Sequence, residues 1–126
     1  MSREPVHTEQ APAAVGPYSQ AIIANGFVYT AGQGGIIPGT KTPVEGGTGA
    51  QTRQVMENLK AILEAAGSSM DKIVKTTVFL TNLDDFAAMN EIYGGYFGDQ
   101  PPARSTVQVS RLPLGLAVEI EAVALL

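Results

Sequence analysis

Residues 48–81 have the sequence TGAQTRQVMENLKAILEAAGSSMDKIVKTTVFLT, in which a helix pattern leads directly into a strand pattern. In residues 48–66, apolar side chains recur three and four positions apart, which predicts an amphipathic helix. The apolar positions are Val55, Met56, Leu59, Ile62, Leu63 and Ala66. Residues 72–81 are rich in β-branched side chains, which favour strands. The stretch therefore indicates a domain that combines helices with a sheet.

Residues that commonly begin and end helices flank these patterns. Thr48 and Gln51 have the spacing of a capping box, in which both side chains bond free backbone N–H groups of the first turn. Gly67 follows the last apolar position, where glycine often ends a helix. Asp84 and Asp85 are the cap candidates of a second helix.

Strand patterns lie on both sides of this stretch. Asn25-Gly26 separates two short β-type runs, and this dipeptide is the strongest short hairpin signal because both residues tolerate positive φ. Residues 32–49 are rich in Gly and Pro and predict an irregular, mobile loop. The predicted strands are residues 18–24, 27–31, 72–81, 104–111 and 117–125, and the second helix is residues 84–97. The order β-β-α-β-α-β-β predicts the α+β class.

Two amphipathic helices cover only one face of a sheet, so the character of the other face matters. From the pattern we assign to this uncovered face Thr76, Val78 and Leu80 of one strand and Ala117, Val123 and Leu125 of another. A face that is half apolar is unfavourable in water. We therefore expect another copy of the chain to cover it.

The composition excludes several kinds of functional site. The 126 residues suffice for one domain, spanning 1–126, and the lack of cysteine excludes zinc–thiolate sites and thiol nucleophiles. The one histidine, His7, lies in a polar segment, which argues against a metal site or a Ser-His-Asp triad. The net charge of -4, with scattered basic residues, predicts neither a nucleic-acid nor a membrane surface. Since no apolar leader is visible, we expect a cytoplasmic protein.

Arg104 and Glu119 are the main candidates for chemistry, and each also has an ordinary explanation. Arg104 follows two prolines and suits a carboxylate ligand, but a surface ion pair fits equally well. Glu119 lies in an otherwise apolar strand, where a raised pKa would suit proton transfer, unless it faces solvent or another subunit. Tyr18 could line a pocket or be a half-buried residue that begins a strand.

Five blocks of the sequence, taken in order, resemble the RidA (reactive intermediate deaminase) family. They are APAAVGPYSQAI at 11–22, FVYTAGQ at 27–33, IVKTTVFLTNLDDFAAMNEIY at 73–93, PPARSTVQVSRLP at 101–113 and VEIEAVA at 118–124. The resemblance implies a chorismate-mutase-like α+β fold, with a mixed sheet, two helices on one face and a homotrimer with clefts between subunits. It also implies hydrolysis of 2-aminoacrylate and related enamines or imines to 2-keto acids and ammonia, without a metal or an organic cofactor.

The resemblance assigns roles to individual residues. Arg104 matches the anchor of the substrate carboxylate, Glu119 the acid that activates water, and Tyr18 a tyrosine that reaches the cleft from a neighbouring chain. The remaining cleft positions match Thr30, Gly32, Asn90 and Thr106. Two of these depart from the family, because Thr106 stands where many members have Cys and Thr30 where many have Ser.

Two other functions remain open at this point. A non-enzymatic trimer that binds small carboxylic acids, as a regulator or holdase, would use Arg104 but would not need Glu119. RNA cleavage, an activity attached to older names of the family, is disfavoured by the negative net charge and the lack of a catalytic histidine.

Overall fold

The computed structural model describes residues 2–126, which form seven strands and two α-helices. The strands are β1 (Glu4–Val6), β2 (Ala21–Ala24), β3 (Phe27–Thr30), β4 (Gln33–Gly34), β5 (Ile73–Leu80), β6 (Ala103–Gln108) and β7 (Val118–Leu125). The helices are α1 (Gly47–Ala65) and α2 (Phe86–Gly94), and short 3₁₀ turns cover Met70–Lys72, Leu83–Asp85 and Pro113–Gly115. Within residues 2–126, neither helix has the length and apolar character needed to span a bilayer.

All seven strands belong to one mixed sheet. Its order is β1-β2-β3-β7-β5-β6, and β4 pairs with the first half of β7. Strands β5 and β6 are parallel, and the other neighbours are antiparallel. The predicted α+β class and element order are therefore confirmed. The sequence did not predict β1 and β4, because strands of three and two residues are too short to show an alternating pattern.

Asn25 and Gly26 form the predicted two-residue hairpin loop between β2 and β3. Both have positive φ, 54° and 82°, which is the conformation of the type I′ turn. The hairpin holds β3 against the end of β7, so the segment that follows β3 runs alongside the beginning of β7.

The capping box predicted for α1 is wrong, because its two side chains serve tertiary contacts instead. The Thr48 hydroxyl donates to Oδ2 of Asp85 at 2.9 Å. Oε1 of Gln51 accepts the backbone N–H of Ala117 at 2.8 Å. The residue at the N-cap is Gly46, whose φ of 115° lies in the left-handed region.

Gly67 ends α1 as predicted. Its φ is 89°, and its N–H donates to the carbonyl of Glu64 at 3.0 Å. The N–H of Ser68 donates to the carbonyl of Leu63 at 2.8 Å. This pair of bonds is the Schellman motif, which satisfies carbonyls that the end of a helix leaves free.

The second helix is shorter than predicted at both ends. The N-cap residue of α2 is Asp85, one of the two predicted candidates, but its side chain makes no capping bond. Asn82 instead caps the 3₁₀ turn before the helix, where its side chain accepts the N–H of Asp84 at 2.9 Å. The carboxylate of Asp85 is occupied by Thr48. At the other end, α2 stops at Gly94, where a pair of glycines lowers the helix propensity.

The core lies between the sheet and the helices. Its fully buried side chains include Met56, Leu59, Ile62, Leu63, Val118 and Ile120. The prediction that Thr76, Val78 and Leu80 face away from the helices is wrong, because all three are buried in this core. The error arises from Thr76, whose polar side chain is typical of a solvent-facing position. Its hydroxyl shares a hydrogen bond of 2.7 Å with that of Tyr93 on α2, so this polar side chain is satisfied inside the core.

The opposite face of the sheet, here called the open face, is not covered by either helix. Val123 and Leu125 lie on it as predicted, and Ala117 lies just before β7. Its other members include Thr77, Phe79, Val107, Glu119, Glu121 and Tyr29. Exposed apolar side chains such as Tyr29, Val107 and Leu125 are present on this face. That another copy of the chain covers it remains a prediction.

Candidate active site

A cleft opens where β4 runs beside the first half of β7. The N-terminal loop closes one side of the cleft, and the turn Pro113–Gly115 closes another. Its volume is about 560 Å³, and its lining contains Tyr18, Gly32 and Glu119. The structure thus brings together three of the residues proposed from the sequence.

Glu119 lies half-buried on the open face, between Gly34 of β4 and Phe79 of β5 in the strand register. Burial raises the pKa of its carboxyl above the ordinary value, because the charged form loses solvation. The negative charge of Glu121, two residues along the same face, raises this pKa further. A carboxyl whose pKa is displaced towards neutrality is suited to accept and return a proton.

Gly32 approaches the Glu119 carboxylate so closely that no side chain fits between them. An added Cβ would lie 2.8 Å from the carboxyl carbon of Glu119, closer than real Cβ atoms come to their neighbours. The backbone of Gly32 therefore forms one wall of the pocket around the acid. A side chain at position 32 would fit only if the Glu119 carboxylate moved away.

Tyr18 stands at the entrance of the same cleft and is 50% exposed. Its hydroxyl oxygen accepts the backbone N–H of Val15 at 3.4 Å, which is a long hydrogen bond. The phenolic hydrogen is not used in that bond. Tyr18 can thus donate a hydrogen bond to a ligand in the cleft.

Arg104 lies in a second pocket, of about 440 Å³, between α2 and the beginning of β6. Its Nη1 donates to Oδ1 of Asn90 at 2.6 Å. The guanidinium also lies over the rings of Tyr93 and Phe86, 4.9 Å and 5.4 Å from their centres. All three contacts are with uncharged side chains, so they orient the cation without neutralising it. Such a guanidinium is suited to bind a carboxylate in two-point geometry.

Thr106 lies two residues beyond Arg104 on β6 and shares its face of the sheet. Its Oγ1 is buried and has no hydrogen-bond partner among the described residues. Thr106 is not among the residues that line the Arg104 pocket, so this hydroxyl is not open to a ligand there.

The two pockets lie on opposite faces of the sheet. Arg104 is in register with Thr76, which is buried under the helices. Glu119 is in register with Phe79, on the open face. Side chains in register on neighbouring strands share a face, so Arg104 and Glu119 of one chain point away from each other.

Thr30 lies in neither pocket. Its Oγ1 accepts the backbone N–H of Ala122 at 2.9 Å, which ties the end of β3 to β7. It borders a shallower depression on the sheet together with Lys75 and Glu121. In one chain, therefore, its described role is to join strands.

No group of three or more His, Cys, Asp or Glu side chains that could hold a metal ion occurs within residues 2–126. The polar side chains that line the two pockets carry carboxyl, guanidinium, ammonium, amide, hydroxyl and phenol groups. These groups suit proton transfer and anion binding.

Residues 8–126 match the model of the family described as Endoribonuclease L-PSP. The chain belongs to this family. A RutC family protein of Pyrococcus horikoshii is 54% identical over 122 residues, which cover 97% of both chains. The 2-iminobutanoate/2-iminopropanoate deaminase of Homo sapiens is 44% identical over 98% of this chain and 90% of the human one. A solved structure from Yersinia pestis, of the conserved Rid protein family, has a TM-score of 0.96 and 50% identity, covering 99% of this chain and 100% of that one.

These relatives confirm the resemblance drawn from the five sequence blocks. Names of the Rid and imine deaminase type recur among members of the family at 44–49% identity, and they support membership of a deaminase family. The names do not themselves assign roles to the residues of this chain.

Two residues of the site were not foreseen from the sequence. The sequence pattern gave Phe86 and Tyr93 no role at the site, yet the Arg104 guanidinium lies over both of their rings. A signal was present, since Phe86, Asn90 and Tyr93 follow the i, i+4, i+7 spacing of one helix face. An amide between two aromatic rings on one face suits a planar cation.

Proposed function

We propose that the protein hydrolyses 2-imino acids, of the 2-iminopropanoate and 2-iminobutanoate type, to 2-keto acids and ammonia. Enamines such as 2-aminoacrylate are substrates through their imine tautomers. The observation that carries the proposal is the Glu119 carboxyl, whose raised pKa and position in an open cleft suit it to activate water. The deaminase names of relatives support the same reaction class.

The proposed site needs two subunits. A 2-imino acid has its carboxylate next to the carbon that water attacks, so the groups that serve these two positions must lie close together. Arg104 and Glu119 of one chain lie on opposite faces of the sheet. The Arg104 pocket of one subunit must therefore meet the Glu119 cleft of another, and we propose a homotrimer with three such sites. The apolar side chains of the open face favour such an assembly.

In the first step, Arg104 binds the substrate carboxylate with two hydrogen bonds, while Asn90 holds the guanidinium in place. Binding the carboxylate fixes the imine carbon over the Glu119 cleft. Positioning of this kind lowers the barrier because the reacting groups no longer need to find each other.

In the second step, the Glu119 carboxylate takes a proton from water as the water oxygen bonds to the imine carbon. The protonated Glu119 gives this proton to the imine nitrogen, which yields an amino alcohol. Glu119 then takes the proton of the new hydroxyl group and passes it to the amino group, so that the carbon–nitrogen bond breaks, the keto group forms and ammonia leaves. Water supplies every atom that is added, and one carboxyl serves as base and then as acid. The sequence of steps requires neither redox chemistry nor a cofactor.

The experiment is a coupled assay in which an amino-acid oxidase generates the imine and semicarbazide traps what remains. The protein should accelerate the loss of imine. Arg104→Ala should lower kcat/KM about 100-fold or more, with Arg104→Lys recovering part of it. Glu119→Gln should lower kcat by about 10²–10⁴-fold. If the assembled protein leaves the rate of imine loss unchanged, the proposal is wrong.

A second function is favoured by one observation, the absence of a charged partner among the described contacts of Arg104. A protein that only binds 2-keto or other small carboxylic acids would need this cation and nothing more. Calorimetry with a 2-keto acid separates the two functions. In a pure binding protein, Arg104→Ala would abolish the only function and Glu119→Gln would have no functional effect.

A further inference from the structure

The apolar part of the Glu119 cleft has no role in the hydrolytic steps. Its lining includes the side chains of Val15, Ile36, Leu114 and Leu116. Val15 is 70% exposed and Leu114 is 63% exposed, so both present aliphatic surface at the mouth of the cleft. Aliphatic groups beside a reactive carboxyl are suited to bind an apolar part of the ligand.

Leu114 is held in an unfavourable backbone conformation. Its φ is 59° and its ψ is 21°, in the left-handed region that bulky residues rarely adopt. The next residue, Gly115, has a φ of 68°, as glycine readily does. A glycine at position 114 would form the same turn without strain. The turn alone therefore does not account for a leucine at this position. Strained residues concentrate where ligands bind.

The size of the cleft also favours a ligand with an additional apolar part. Pockets of roughly 300–1,000 Å³ hold ligands of drug size. The cleft, at about 560 Å³, falls within that range and has far more room than a three-carbon imino acid fills. Gln33, Thr40 and Lys41 also border the cleft, but most of its lining surface is apolar.

Among the described residues, the charged members of the cleft lining are Lys41 and Glu119. Lys41 would favour an acidic side chain on the substrate, and Glu119 would oppose it. Lys41 is exposed, and an exposed ammonium group gains little from an ion pair because water already solvates it. The aliphatic lining gains more from contact with an apolar side chain, since that contact removes apolar surface from water.

We propose that Val15 and Leu114 form a subsite for an apolar substrate side chain, so that the preferred 2-imino acids are those with side chains as large as those of leucine or methionine. This inference rests on the proposed hydrolysis at Glu119. It concerns which imines enter the site and not the chemistry that follows.

The test compares kcat/KM for three imines, generated by oxidases from alanine, leucine and glutamate, in the assembled wild-type protein and its variants. Leu114→Ala removes the side chain and keeps the strained backbone, while Leu114→Gly removes both. Leu83→Ala is the matched control, because Leu83 is also an exposed leucine in a 3₁₀ turn but lies outside the cleft. Circular dichroism and the oligomer size are measured for every variant.

The wild-type protein is expected to prefer the leucine-derived imine over the alanine-derived one by about 10-fold or more. Both Leu114 variants should lose most of this preference, while Leu83→Ala should keep it. Hydrolysis of the alanine-derived imine by all of them would show that the reaction itself is intact, which separates the loss of the subsite from a failure of the proposed function.

Three results would overturn the subsite. The first is an unchanged ratio of the two rates in both Leu114 variants. The second is a loss in Leu114→Gly alone, which would assign the effect to the backbone. The third is a preference for the glutamate-derived imine that disappears in Lys41→Ala. If the wild-type protein accelerates the hydrolysis of none of the three imines, both the proposed function and the subsite are wrong.

Discussion

Arg104 and Glu119 lie on opposite faces of one sheet, on strands that flank β5 from either side. Each is held by its own surroundings: the guanidinium by Asn90 and two aromatic rings, the carboxyl by the close backbone of Gly32. If both act on one small substrate, they belong to different subunits. This relationship leads to a test that combines two inactive variants.

Mixed oligomers of Arg104→Ala and Glu119→Gln subunits should regain activity. Each variant alone has no complete site, but a site between an Arg104→Ala subunit and a Glu119→Gln subunit can contain both native residues. With equal, random mixing in a ring, roughly a quarter of the sites would be complete. The variants are unfolded together, refolded and assayed.

The control is the same two variants refolded separately and then combined without exchange of subunits. That sample should remain inactive. Continued inactivity after true subunit exchange would show that the two residues do not act across an interface.

Glu121→Gln should move the acidic limb of the pH profile of kcat/KM to lower pH. The negative charge of Glu121 raises the pKa of Glu119, so its removal lowers that pKa. Glu119 then remains ionised, and active as a base, to lower pH. Glu64→Gln, an exposed change on α1, is the control and should leave the limb in place. A limb that does not move in Glu121→Gln would mean that another group controls it.

Gly32→Ala should lower kcat/KM by about 100-fold, because the added Cβ displaces the Glu119 carboxylate and misplaced catalytic groups lose this order of activity. Gly49→Ala is the matched control. At Gly49 an added Cβ meets only Ile92, at the ordinary distance of 3.9 Å, so activity should be unchanged. Equal activity in the two variants would contradict a site at Glu119.

Tyr93→Phe should lower the free energy of unfolding by about 1–3 kcal/mol, because it leaves the buried Thr76 hydroxyl without a partner. The ring that stacks on Arg104 is retained, so kcat/KM should change little. The double variant Thr76→Val/Tyr93→Phe removes both hydroxyls and should regain part of the stability. Urea unfolding at one fixed protein concentration measures the differences. A double variant less stable than Tyr93→Phe would show that the hydrogen bond is not what matters.

Periodicity and turn chemistry predicted most of the fold. The α1 stripe, the Gly67 end and the Asn25-Gly26 hairpin all follow from local physical preferences, which the surrounding structure does not override. The capping box of α1 was wrong for the opposite reason. Thr48 and Gln51 have the right spacing for a local bond, but Asp85 and the N–H of Ala117 offer tertiary partners that no local pattern contains.

For the candidate site, alternation along each strand places Arg104 on one face with Thr106 and Glu119 on one face with Glu121, in agreement with the structure. It could not tell which group faces the helices, because that depends on how β6, β5 and β7 are paired. The same limit explains the wrong face assigned to Thr76, since a threonine looks solvent-facing until its partner Tyr93 is known.

The open face has a consequence for a newly synthesised chain in the period after it folds. A folded subunit displays exposed Tyr29, Val107 and Leu125 on that face. Exposed apolar strand surface is a site where unrelated chains can associate and aggregate. If identical copies cover this face, as we propose, the hazard lasts until they meet. At low expression the rate of encounter, and not the rate of folding, would then set how long a chain remains vulnerable.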